Sequence, residues 1–278
     1  AASLATGAAL LLALGMLPAV AGGAVPSLTL PWIPALGLTL ALRLDGLAVT
    51  FALLVLAIGL LVSIYARYYL PADAPRGRFH ALMLVFQAAM LGVVLAGNLL
   101  WLALCWELTS LLSFLLIAFD PTSRAARRGA GIALLVTAAG GLALLAGLLL
   151  LGQVAGSYDL DAVLAAGETI RAHPLHGPIL VLILLGVFTK SAQFPLHAWL
   201  PAAMAAPTPV SAYLHSATLV KAGVFLLARL WPVFSPTEAW LPLVGGVGLV
   251  TFVFGAYVAL FKHDLKGLLA YSTISHLG

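Results

Sequence analysis

Charge is what this sequence lacks. Of its 278 residues, 13 are Lys or Arg and 9 are Asp or Glu, 8% together, against 63% hydrophobic residues and a mean hydropathy of +1.13. A soluble domain carries about 25% charged residues, so a soluble globular protein is excluded. Cysteine is nearly absent too. Cys105 alone forms no intrachain disulfide, and in an apolar run it packs as a small hydrophobe. No His/Cys/Asp spacing points to a metal site, and no phosphate loop, dinucleotide fingerprint or nucleophile elbow is present. No cofactor is expected, and a transporter is favoured over a catalyst acting by itself. The strand-length alternation of a membrane barrel is missing. The net charge of +4 is spread over connecting loops, which belongs to membrane topology and excludes a nucleic-acid footprint.

What is present is a succession of apolar runs. A hydrocarbon core about 30 Å thick takes about 20 apolar residues per helix. Nine helices are expected, at about 4–22, 44–66, 79–97, 99–119, 130–152, 177–200, 210–231, 241–261 and from 266 onward. The fold class is therefore all-α, a polytopic membrane helix bundle forming one module over residues 1–278. Alternating these helices gathers Arg67, Arg76, Arg78, Arg124, Arg127, Arg128, Lys262 and Lys266 in the loops of one side, against Arg43 and Arg171 on the other. Eight basic residues against two assign the first side to the cytoplasm. Segment 157–173 is too short and polar to span and predicts a surface helix capped by Asp159 or Ser157. Segment 23–43 holds three prolines and predicts an extracytoplasmic loop or hairpin. The chain starts AASLATG without Met and ends SHLG within an expected helix, so it reads as part of something longer.

Against this background a few ionisable residues stand out. Glu107 falls near the middle of the fourth expected helix with no other acid within twelve residues. A charged carboxylate there needs a cationic partner. A neutral one bonded to Thr109, Ser110 or Ser113 is the structural alternative. Lys190 falls late in the sixth expected helix, and a lysine at the centre of a bilayer helix costs about 2.5–3.5 kcal/mol on insertion scales. Pro195 lacks the N–H that would meet the Ser191 carbonyl, so the helix bends or breaks there. Lys190 then either faces a hydrated cavity at the break or snorkels to the surface. His215 and Lys221 fall on the expected helix 210–231, six residues and about 240° apart, with Thr218 between them. His215 is either a satisfied core histidine or a relay group that titrates near neutral pH. Lys221 lies near the middle of that helix, too deep to snorkel easily. His197 falls in the last turn of the expected helix 177–200, past Pro195, and His276 sits near the end of the chain after Ser272, Thr273 and Ser275.

At these residues the chain resembles a family. KSAQFPLHAWLPAAMAAPTPVSAYLHSATLVKAG from Lys190, WELTSLLSFLLIAF from Trp106 and KHDLKGLLAYSTISHLG from Lys262 are similar, in order, to the antiporter-like subunits of respiratory complex I and to the large A subunit of Mrp-type Na⁺/H⁺ antiporters. The likeness runs from LRLDGLAVTF at 42–51 to the end. Complex I subunits usually have WEGVG at Trp106–Ser110, threonine at Lys221 and glutamine at His276, so this sequence resembles the Mrp branch, of which membrane-bound hydrogenases share parts. The resemblance implies a ten-helix antiporter module with a helix broken near Lys190, truncated here at both ends: the module's first helix and its C-terminal half, with a second broken helix and an outlet lysine, lie outside this stretch. It also implies a proton relay in which Glu107 and Lys190 match the glutamate–lysine pair and His215 the connecting histidine, with Lys221 continuing the path and His276 a candidate extension. When the pair separates, Lys190 releases its proton toward His215 and Lys221. The implied function is proton translocation coupled to Na⁺ export, in a bacterial cytoplasmic (inner) membrane and in a hetero-oligomeric assembly with other membrane subunits. The alternative is a proton-pumping subunit of a complex I-like NADH:quinone oxidoreductase or a membrane-bound hydrogenase.

Lys190→Ala or Glu107→Ala is expected to abolish proton-coupled Na⁺ efflux, read as Na⁺ uptake into everted vesicles, while the chain still inserts. Arg127→Gln, which alters a loop charge, is expected to matter much less.

Overall fold

A computed structural model describes residues 2–278. Helix α1 (Ala2–Ala21) leads into an antiparallel hairpin, β1 (Ser27–Ile33) and β2 (Leu38–Arg43), one of the two forms, loop or hairpin, expected of the proline-bearing segment. Gly37 turns between the strands at φ 68°, a left-handed conformation that glycine adopts without cost. Four long helices follow: α2 (Gly46–Tyr69), α3 (Arg76–Val94), α4 (Leu99–Ile117) and α5 (Arg124–Ala155). Three of them start on a side-chain cap, with Asp45, Asn98 and Ser123 accepting from first-turn N–H groups of α2, α4 and α5. The surface segment forms two short helices, α6 (Leu160–Ala165) and α7 (Gly167–Ala172), and Asp159 caps the first. The chain then runs through α8 (His176–Lys190), α9 (Trp199–Ala203), α10 (Thr208–Ser211), α11 (Lys221–Phe234), α12 (Gly246–Ala259) and α13 (Leu265–Leu277). The bundle is all-α apart from the hairpin.

Six of the described helices are long and apolar enough to cross a membrane, the last being Leu241–Ala259, whose first turn is π-helical. At 32 residues, α5 is about 48 Å long at 1.5 Å per residue, more than the ~30 Å core requires. It forms the spine on which α4, α8 and α9 pack. Helices α1 and α12 lie at the outside and expose most of their apolar side chains.

Two expected helices are not continuous. The one expected over 177–200 stops at Lys190, and the chain turns irregularly before α9. The one expected over 210–231 is also broken. After α10 the backbone widens into a π-helical turn, Ala212–Ala217, and Thr218 leaves helical geometry (φ −130°, ψ −78°) before α11 begins. The placement of Lys221 near mid-helix is therefore corrected: it is the first residue of α11. Apolar periodicity hid this break, because Leu214, Leu219 and Val220 are buried on both sides of it.

An ionic cluster ties the start of α2 to α11. Arg229, 6% exposed, forks onto Asp45: Nη2 donates to Oδ1 at 3.0 Å and Nη1 to Oδ2. Arg43 also donates to Asp45 Oδ2, and its Nε donates to Asp161 Oδ1 at 2.9 Å, which brings in α6. Burial alone would push the Asp45 carboxyl up. The hydrogen bonds from Arg229, the Ala48 N–H and Arg43 outweigh it and hold the group well below the usual carboxylate range.

Asp45→Ala strands the Arg229 charge and is expected to cost about 3 kcal/mol, read as a lower melting temperature of the purified protein. A carboxyl whose folded value lies below its unfolded ~3.9 contributes stability that is complete above that pH and fades as pH falls through it toward the folded value. Asp45→Asn is expected to remove that acid-side loss.

Candidate functional site

The site grows from the break after α8. A proline four residues past Ser191 leaves the Ser191 carbonyl without a helical partner, and the Gln193 side chain supplies one, Nε2 donating at 3.0 Å. The Thr189 carbonyl accepts from Trp199 Nε1 at 2.8 Å, and the Phe194 N–H donates to Thr251 Oγ1 at 3.0 Å. Ala192 takes a left-handed φ of 50°, uncommon for a residue with a Cβ, and is held there fully buried. Ser191 Oγ donates to the Val220 carbonyl at 2.7 Å, joining this break to the one before α11. The polar backbone exposed by the two interruptions is thus met by protein groups at membrane depth.

Lys190 is the last residue of α8 and is 0% exposed, so its stem does not snorkel to the surface. Its Nζ donates to the Trp106 carbonyl at 3.0 Å and to Ser110 Oγ at 2.7 Å, and stands 5.1 Å from the centroid of the Trp106 ring. These partners flank Glu107 on α4. Glu107 itself points about 100° away from Trp106 around the helix, toward α5, where a Cβ on Gly141 would land on its carboxylate. A Cβ on the neighbouring Gly140 would land on Thr189. The two glycines let α5 approach both charged helices.

Glu107 and Lys190 interact electrostatically, yet no ion pair within 4 Å joins them among the described residues. The hydroxyls that might have bonded a neutral Glu107 are engaged elsewhere. Thr109 donates to the Trp106 carbonyl, Ser113 to the Ser110 carbonyl, and Ser110 accepts from Lys190. Glu107 Oε1 is buried without a hydrogen-bond partner. A cavity of about 550 Å³ opens beside it, lined by Trp101, Ser110 and Leu134 and by Trp32 from the hairpin.

His215 lies in the π-helical turn, 1% exposed, with neither ring nitrogen hydrogen-bonded to described residues. The Trp199 ring stands edge-on to it, centroids 6.0 Å apart. Thr218, between His215 and Lys221 in sequence, donates to the Tyr213 carbonyl at 2.8 Å. Lys221 is half-buried at the start of α11. His197 packs among Phe194, Phe254 and Tyr271 in the connection after the first break. The structure therefore brings Glu107, Lys190, His215 and Lys221 to the two breaks and the helices beside them. His276 is not brought there. It is exposed in the last turn of α13 and its Nδ1 bonds back to the Ser272 carbonyl at 2.7 Å.

Sequence reasoning passed over two basic residues. Lys266, read as a loop charge, reaches the carbonyls after α9, donating to Met204 O at 3.2 Å and Ala206 O at 2.8 Å. Arg229 lies near the end of the expected helix 210–231 and was not singled out. The signal for it was the aspartate at the start of α2, an acid in a chain with only nine.

Comparison with known proteins gives the family. Residues 96–278 match the family described as "NADH:quinone oxidoreductase/Mrp antiporter, TM", and residues 32–80 match "NADH-Ubiquinone oxidoreductase (complex I), chain 5 N-terminus". A probable K(+)/H(+) antiporter A/B subunit of Rhizobium meliloti is 61% identical over 95% of this chain and 26% of its own length. The Na(+)/H(+) antiporter A subunit of Alkalihalophilus pseudofirmus is 47% identical over 92% of this chain and 32% of its own length. A chain of the Mrp complex from Dietzia sp. superposes with a TM-score of 0.91 at 42% identity, over 98% of this chain and 30% of that one. A chain of an archaeal membrane-bound sulfane sulfur reductase shares the fold, with a TM-score of 0.87 at 22% identity over 99% of this chain and 57% of that one. The chain thus spans about a quarter to a third of the length of the curated relatives it matches. With the first of these family matches covering well over half its residues, this multi-pass membrane chain belongs to the NADH:quinone oxidoreductase/Mrp antiporter transmembrane family.

Proposed function

We propose that this chain is the proton-translocating part of a Mrp-type cation/proton antiporter, that protons pass along Glu107, Lys190, His215 and Lys221, and that their movement is coupled to Na⁺ export. One observation carries the reading. Lys190 is wholly buried at a helix break, and its two sequence neighbours hold the next members of the path: Ser191 bonds the carbonyl before Lys221, and Thr189 bonds the indole packed against His215. His276 is left out of the path because it makes none of these contacts.

The chemistry follows from the separation of Glu107 and Lys190. With the carboxylate beyond ion-pair distance, the Lys190 ammonium depends on one carbonyl, one hydroxyl and one ring face. If Glu107 swings from α5 toward α8, a direct pair forms and holds the proton on Lys190. If it swings back, that support weakens, and His215, with ring nitrogens unengaged, can accept the proton and pass it to Lys221. Such a two-position carboxylate gives a gated relay in place of an open pore. No cage of carboxylates and carbonyls for Na⁺ is apparent among the described residues, so the cation route is assigned to other parts of the assembly. The broad apolar faces of α1 and α12 suit packing against lipid and neighbouring membrane subunits.

The test exploits the glycines of α5 in the assembled complex, assayed in everted vesicles. Gly141→Val drives a side chain into the Glu107 carboxylate and is expected to lower Na⁺-dependent proton movement more than tenfold. Gly131→Val, at a position on the same helix with open space around it, is expected to leave it close to normal. Equal activity of the two variants would sink the role given to Glu107. A response to K⁺ with none to Na⁺ would overturn the sodium assignment, and co-purification with flavin or iron–sulfur subunits would move the chain to a redox-driven pump.

A further inference from the structure

The four loops on the arginine-rich side, 67–78, 120–129, 201–209 and 262–266, all contribute to the wall of one cavity of about 700 Å³. Tyr69, Asp73, Asp120, Pro207 and Lys266 stand in that wall. Lys266 holds the stretch between α9 and α10 beside it through the Met204 and Ala206 carbonyls. Helix α10 starts at the cavity, directly after Pro207, and runs on into the π-helical turn that carries His215. Thr208, Ser211 and His215 are three and four residues apart, so they follow one face of this segment. Burial deepens along that face. Thr208 is half-buried, and its Oγ1 shares a hydrogen bond of 3.1 Å with the exposed Tyr69 hydroxyl. Ser211 is 8% exposed and His215 1%.

A serine inside a helix commonly turns its hydroxyl back to the carbonyl four residues earlier. Ser211 does not. Its Oγ is buried with no hydrogen-bond partner among the described residues, one turn from the two unengaged ring nitrogens of His215. A buried hydroxyl left unsatisfied costs free energy, and groups of this kind are met by internal water. Ser211 also stands between the cavity and His215 along the face that joins them. We propose, resting on the relay role given to His215, that Ser211 positions a water through which His215 exchanges protons with the cavity on the arginine-rich side. The water takes a proton from one neighbour and gives one to the other, so it and Ser211 end unchanged. The Tyr69–Thr208 hydroxyl pair lies at the mouth of this route, and Asp73 and Asp120 are exposed carboxylates in the wall that raise the local proton concentration.

The test compares Ser211→Ala and Ser211→Thr in the assembled complex, in everted vesicles, with Lys190→Ala beside them. Ser211→Ala is expected to slow Na⁺-dependent proton movement about tenfold, with a larger solvent deuterium isotope effect than the parent. Ser211→Thr keeps the hydroxyl and is expected to retain most of the rate and the parent's isotope effect. A hydroxyl that is only an unsatisfied buried group predicts the opposite for Ser211→Ala: a higher melting temperature and unchanged transport. That result, with Lys190→Ala inactive, would overturn the route through Ser211 and leave the relay standing. Equal slowing of both Ser211 variants at the parent's isotope effect would assign the residue to packing and sink the positioned water. Normal transport by Lys190→Ala would instead overturn the relay on which the proposal rests.

Discussion

A helix that stops inside a membrane leaves carbonyl and N–H groups facing hydrocarbon, and each must find a partner within the protein. The structure around Lys190 is organised by that requirement. Trp199, Gln193 and Thr251 supply partners at the first break, and Ser191 meets the second. The groups that satisfy the backbone are the same groups that bring the ionisable side chains together. Trp199 closes the Thr189 carbonyl with its indole nitrogen and presents its ring to His215. Ser191 closes the Val220 carbonyl and thereby fixes where Lys221 begins α11. Through Ser191 and Trp199 the two interrupted helices are joined to each other and to the turn that carries His215.

Three of the basic residues within the apolar helices are supported in three ways. Arg229 has a full counter-charge in Asp45, geometrically matched and shared with Arg43, which suits a fixed strut between α2 and α11. Lys190 has neutral acceptors with a carboxylate nearby but apart, which suits a group whose charge can change. Lys221 is half-buried beside a break. The difference between Arg229 and Lys190 is chemical as much as geometric. A guanidinium stays charged, so it must be paired, while an ammonium can give up its proton and live with weaker support.

Much of this was legible from residue order. The shortage of charge, the length of the apolar runs and the segregation of loop arginines identify a polytopic helical bundle, and Pro195 announces the first break. A surface-helix cap at Asp159 or Ser157 and a loop or hairpin over 23–43 follow from equally local chemistry. The second break was not legible. Residues 212–220 keep an apolar spacing that a regular helix would also show, and a π-helical turn has no local sequence signature. Nor was the destination of Glu107. A carboxylate flanked by Thr109, Ser110 and Ser113 looks set for a local hydroxyl bond, but all three hydroxyls are drawn to backbone carbonyls or to Lys190.

The division has a physical basis. Sequence by itself determined which residues are too costly to place in lipid without a reason, because transfer free energy is a property of each side chain and of the run around it. Only the tertiary structure decided how those residues are supported. Partner choice depends on which helix faces which, and that is set by close approach at places such as Gly140 and Gly141, where the lack of a side chain on α5 admits Thr189 and Glu107. It likewise paired Arg229 with an aspartate 184 positions away, a match that spacing along the chain cannot encode.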